Sequence, residues 1–126
     1  MIVSKDPHIE VNLPNGMYVF DNLSGTGKTY LYQIVRQLSS MPELRVTACR
    51  NVEEFNSMAA DTAKLVVVDR YDLWGDDSMS ERLASISENA VVLVDAKTFL
   101  TGAVERSDLC TIHVDDGRMV IDDSGN

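Results

Sequence analysis

Cysteine is scarce in this chain of 126 residues: Cys49 and Cys110 are the two present. No CxxC or Cys/His ligand spacing exists, so the sequence offers no structural metal site and no disulfide framework. Both lie in apolar, strand-like segments and read as buried free thiols. Long hydrophobic runs are also missing, and none approaches the roughly 20 residues that span a bilayer. The N-terminus, Met1–Asp6, lacks the basic-then-apolar layout of a secretory signal. These absences lead to the expectation of a cytoplasmic protein with no membrane contact. Positive charge is outweighed, with a formal net charge of −9, which disfavours non-specific binding to a phosphate backbone. Such a charge serves solubility and also suits a protein partner with a basic surface.

What is present is an ordinary globular composition, 44% hydrophobic, in a length sufficient for one domain, residues 1–126, with its own core. Strand and helix signals alternate. Ile9, Val11 and Leu13 alternate with Glu10 and Asn12, predicting a half-buried strand. Pro14-Asn15-Gly16 is a turn signal before Met17–Asp21, so this pair reads as a hairpin. A helix is expected from Lys28 to Ser39, with Leu31, Ile34, Val35 and Leu38 on one face.

Leu44–Cys49 reads as a short strand. Asn51 and Glu54 form a capping box for a helix to about Ala60, with Val52, Phe55 and Met58/Ala59 inward. The β-branched run in Lys64–Asp69 fits a strand buried on both faces, as does Ala90–Asp95. Between them, Ser78 and Glu81 make a second capping-box pattern. Phe99–Val104 is a short helix candidate, and Leu109–Val114, Asp115-Asp116-Gly117 and Met119–Ile121 read as strand, turn and strand.

The segment with chemistry in it is Asn22-Leu23-Ser24-Gly25-Thr26-Gly27-Lys28-Thr29, which follows a strand and opens a helix. A polyphosphate bound there needs several backbone N–H groups converging on it. Glycines allow that approach, and a helix N-terminus adds unpaired donors and a favourable dipole. A lysine reaches the β/γ-phosphates, and a neighbouring hydroxyl can ligate Mg²⁺.

On these residues the chain resembles the P-loop NTPases, whose loop reads G-x-x-x-x-G-K-[ST]. The stretch Ser24–Thr29 looks most like the loop of AAA-type ATPases, with Asn22 in place of the first glycine. The resemblance implies a three-layer αβα fold on a mainly parallel five-stranded sheet, with additional hairpin strands at its edge and Met17–Asp21 central. It implies ATP and Mg²⁺ as cofactors, held by Asn22, Ser24, Gly25, Thr26, Gly27, Lys28 and Thr29. Thr29 and Asp69 would stand on the metal side, Asp69 in the Walker B place at the end of a buried strand.

Many such ATPases have a glutamate directly after that aspartate to orient water; this chain has Arg70. Asp72 and Asp95 are the nearby carboxylates that could polarise water in its stead. No lid domain is evident after the core. The expectation is therefore ATP binding with weak or partner-dependent hydrolysis. The alternative, from another class, is a degenerate member acting as an acidic inhibitor or regulator without catalysis. Asp72-Leu73-Trp74-Gly75 matches the GTPase D-x-x-G by letters, but no N-K-x-D guanine-reading motif accompanies it. His8 and His113 enter no catalytic arrangement.

Overall fold

In the computed structural model, residues 1–20, 27–58, 60–96 and 107–123 are described. Strands β1 (Ile2–Lys5), β2 (His8–Asn12) and β3 (Gly16–Phe20) precede helix α1 (Gly27–Leu38). Then come β4 (Val46–Cys49), α2 (Val52–Ser57), β5 (Leu65–Val68), α3 (Asp77–Ile86), β6 (Val91–Val94), β7 (Asp108–Asp115) and β8 (Arg118–Asp123). The strands form one eight-stranded sheet in the order β1-β2-β8-β7-β3-β6-β5-β4.

This corrects the expected fold class. The sheet is mixed and forms a half-barrel, not a mainly parallel five-stranded sheet between two helix layers. From β7 to β4 neighbouring strands run parallel. Beyond that stretch, β7 and β8 form an antiparallel hairpin, β8 lies parallel to β2, and β1 closes the edge antiparallel to β2. The physical reason lies in the core. One face of the sheet contributes buried apolar residues from all eight strands, from Val3 and Ile9 to Val46, and all of them gather around Leu31, Tyr32, Ile34 and Val35 of α1. A flat eight-stranded sheet is too wide for one helix, whereas a curved one wraps it.

Among the described residues, the other face is covered over β3, β4, β5 and β6 alone. There Val19, Cys49, Val66, Val68, Val92 and Val94 pack with Phe55 of α2 and Leu83 of α3. Strands β5 and β6 are therefore buried along their whole length, while β2 and β8 alternate between buried and more exposed positions. The continuous runs Leu65–Val68 and Val91–Val94 follow from two covered faces, and the alternation of Ile9 and Val11 with polar neighbours follows from one.

Several local expectations are also revised. The Pro14-Asn15-Gly16 turn does not make a hairpin: β2 pairs with β1 and β8, and β3 with β6 and β7. Asn51 does cap α2, accepting from the Glu54 backbone N–H at 2.8 Å, but Val52 is exposed. The cap of α3 is Asp76, which accepts from Met79 N–H at 2.9 Å, rather than Ser78. The β7–β8 hairpin turns on Asp116 and Gly117, both at positive φ. The Phe99–Val104 helix expectation lies outside the described residues, as does Ala59.

Candidate functional site

Strands β4, β5 and β6 are aligned so that Cys49 stands opposite Val68, and Val68 opposite Val94. The next residue of each strand is polar: Arg50, Asp69 and Asp95. Neighbouring parallel strands lie about 4.8 Å apart, so the three emerge side by side. Two positions earlier, Ala48, Val67 and Leu93 face α1. The period-two alternation sends Arg50, Asp69 and Asp95 to that same face, where the first turns of α1 meet them. The backbone locks this edge: Asp69 N–H donates to Cys49 O, Asp95 N–H to Val68 O and Tyr71 N–H to Asp95 O, each at 2.8 Å.

Four charged side chains meet there. Lys28, in the first turn of α1, places Nζ 3.5 Å from Asp95 Oδ1, with side-chain exposures of 11% and 8%. Arg50 Nη2 donates to Asp69 Oδ2 at 3.0 Å, and the Asp69 side chain is 1% exposed. Burial pushes the Asp69 carboxyl above its ordinary range; the Arg50 hydrogen bond opposes that, and the nearby Asp95 charge adds to it. Asp69 Oδ1 and Arg50 Nε are buried with no hydrogen-bond partner. A buried open acceptor costs free energy unless something supplies a hydrogen.

The surroundings hold these groups still. The Arg50 guanidinium lies 4.2 Å from the centroid of the Tyr32 ring. Tyr32 Oη donates to Glu54 Oε1 at 2.7 Å, and Glu54 Oε1 also accepts the Arg50 backbone N–H at 2.9 Å. Burial, with the Glu54 hydrogen bond, pushes the Tyr32 hydroxyl up to about 12, so it remains a donor. Behind Asp69, Trp74 Nε1 donates to its carbonyl at 3.0 Å, and the Trp74 ring packs on Phe55 and Tyr71.

The structure thus brings Lys28, Asp69 and Asp95 together. Gly27 is buried as the first residue of α1, where an added Cβ would lie 2.8 Å from Val114 Cγ2. Thr29 is exposed on the first turn. Asp72 sits in the 3₁₀ turn Tyr71–Leu73 that follows Asp69, and Arg70 is exposed at φ 56° at the start of that turn. Asn22, Ser24, Gly25 and Thr26 lie outside the described residues.

Sequence reasoning missed Arg50. The signal available was positional: Arg50 follows an apolar strand just as Asp69 and Asp95 do. Among the described residues, no group of three or more His, Cys, Asp or Glu side chains could hold a metal ion by itself. No described helix is long and apolar enough to cross a membrane. No protein-family model matches the chain, and no curated protein matches it.

Proposed function

We propose that this protein binds a nucleoside triphosphate, ATP, together with Mg²⁺, at the loop 22–29 and the adjoining strand ends, with hydrolysis that is weak or dependent on a partner. The observation that carries this reading is the placement of Lys28. Its ammonium stands at the start of α1, 3.5 Å from Asp95, and Asp69, at the end of the neighbouring parallel strand, keeps a buried oxygen open. A lysine so placed would supply charge to the β/γ-phosphates, and the helix N-terminus, with the loop residues Ser24–Gly27 before it, would hold them.

The residues fit a phosphate-borne Mg²⁺ better than a protein-held cation. Mg²⁺ keeps most of its waters and takes few protein ligands beside the substrate phosphates, so the lack of a dense ligand cluster is no obstacle. When bound, it would neutralise phosphate charge. Thr29 would ligate it, and Asp69 Oδ1, an acceptor without a donor, would take a hydrogen from one of its waters. Asp95 is engaged by Lys28, which argues for a counter-ion rather than a free base. With Arg70 in the usual place of a water-orienting glutamate and Asp95 engaged by Lys28, the described residues favour binding over turnover.

Thermal melting with millimolar ATP·Mg²⁺ tests the reading. A ligand that binds only the native state stabilises by about 2.7 kcal/mol at a hundredfold excess over Kd, and Lys28→Ala should remove most of that shift. An unchanged melting curve for the wild type would refute nucleotide binding and favour the acidic interaction module, whose partner would carry a basic surface.

A further inference from the structure

Arg50 belongs to no loop motif, yet contacts from two helices hold it in the strand-end cluster. Its ring contact comes from Tyr32 of α1, its backbone N–H is held by Glu54 of α2, and Glu54 in turn lies 3.6 Å from Arg36 of α1. Two helices, α1 and α2, therefore set where its guanidinium stands. That guanidinium grips one oxygen of Asp69, at 3.0 Å, and leaves the other open. The torsion that turns a carboxylate about its Cβ–Cγ bond is broad and roughly two-fold, so a carboxylate held by nothing presents both oxygens in many directions. Asp69 is instead pinned by one oxygen, in a site with 1% side-chain exposure.

We propose that Arg50 is a positioning residue for Asp69, holding Oδ2 so that Oδ1 is aimed to accept a hydrogen from a metal-bound water of the nucleotide complex. This rests on the nucleotide reading above. The partners behind groups that contact a metal's ligands orient them, and removing one such partner costs about 10–100-fold in metal affinity. Arginine suits the task better than lysine, because its planar fork fixes direction whereas an ammonium supplies a point charge.

The experiment measures the ATP dissociation constant by calorimetry, in EDTA and in saturating Mg²⁺, for wild type, Arg50→Ala and Arg50→Lys. The quantity read is the ratio of the two constants for each protein. Arg50→Ala should lower that ratio by about 10–100-fold while leaving the EDTA constant within about twofold, which also shows that the variant is folded. Arg50→Lys should recover the ratio only in part.

An unchanged or increased ratio in Arg50→Ala overturns the positioning role, the increase because it would mark Arg50 as a competitor of the cation. Full recovery by lysine overturns it too, reducing Arg50 to a charge. If wild type binds ATP in a metal-dependent way and Arg50→Ala retains that dependence, this inference alone fails. If wild type binds no ATP in either condition, the nucleotide reading fails and takes the inference with it.

Discussion

The two wings of the sheet are built from the same kinds of residues and obey different rules. The strands β3, β6, β5 and β4 are covered on both faces, by α1 on one side and by α2 and α3 on the other. The strands β1, β2, β8 and β7 send their buried apolar residues to the α1 face, and among the described residues their other face is mostly polar, with Leu109 exposed and Val120 half-buried on it. Asn12 Nδ2 donates to Glu10 and to Asp122, and Arg118 lies 3.7 Å from Glu10. A strand covered twice leaves no position free for charged residues along its length, Thr47 of β4 being the one buried polar side chain of these strands among the described residues, so its charged groups collect where it ends. Arg50, Asp69 and Asp95 stand at such ends. The one-sided wing spreads its charged residues along the strands, and none of those described is buried. Double coverage thus concentrates the chemistry at one edge.

Core truncations should break this comparison most sharply. Leu93→Ala in β6 and Ile121→Ala in β8 both empty the α1 face and should each cost about 2–5 kcal/mol by chemical denaturation. Both residues are fully buried. The neighbouring positions then separate the wings. Val92→Ala, buried against α2 and α3, should cost more than about 1 kcal/mol at roughly 0.8 kcal/mol per buried methyl group, whereas Val120→Ala on the polar face should stay within about 0.5 kcal/mol. Equal losses at Val92 and Val120 would mean that the second wing is also covered on both sides.

Gly27→Ala tests where the wings meet. Its Cβ would press into Val114 and Ile112 of β7, and overpacking of this kind costs about 1–3 kcal/mol. Because the strain falls on the first turn of α1, next to Lys28, ATP affinity should drop along with stability. A variant with wild-type stability would show that β7 yields freely.

Smaller effects come from the caps of the helices that cover the second face. Asn51→Ala should cost about 1 kcal/mol. Asp76→Ala should lower the melting temperature more than Ser78→Ala, since the Asp76 carboxylate holds Met79 N–H and the Ser78 hydroxyl, hydrogen bonds that also keep its carboxyl below the ordinary range. The reverse order would return the cap to Ser78.

The smallest expected signal is chemical. Burial pushes the Cys49 thiol up to about 12, and Cys110 is buried as well, so neither should react with a thiol reagent at pH 8 until the protein unfolds. Prompt reaction of one equivalent in the native state would show an open path into the core.

Much of the local structure was legible because it depends on near neighbours. The amphipathic spacing of Leu31, Ile34 and Val35, the Asn51 cap, the Asp116-Gly117 turn and the strand-end places of Asp69 and Asp95 each follow from residues within one turn or one strand. β1 was not legible: it is short, and Ile2 at its start is exposed. The partner of β2 was not legible either, because the Pro14-Asn15-Gly16 turn looks the same whether the chain folds back or moves on to another strand. The α3 cap was misplaced by two residues because Ser78 and Asp76 both suit such a position, and packing of Leu83 and Ser80 chooses between them. Arg50 escaped notice because one arginine after a short strand carries no motif; its meaning comes from Asp69 on the neighbouring strand and Tyr32 on a helix.

By itself, the sequence determined that Lys64–Asp69 and Ala90–Asp95 hold strands covered on two faces, that the strand of Ile9 and Val11 is covered on one, where α1 begins to within a residue, and that a lysine and two aspartates stand at element ends. Burial and short-range hydrogen bonding impose periodicities that are written along the chain. Only the tertiary structure decided that eight strands join in one mixed sheet, that this sheet curls around α1, and that Lys28 faces Asp95 while Arg50 faces Asp69. Strand pairing and ion pairing are agreements between distant residues, settled by how many apolar side chains one helix can serve at once.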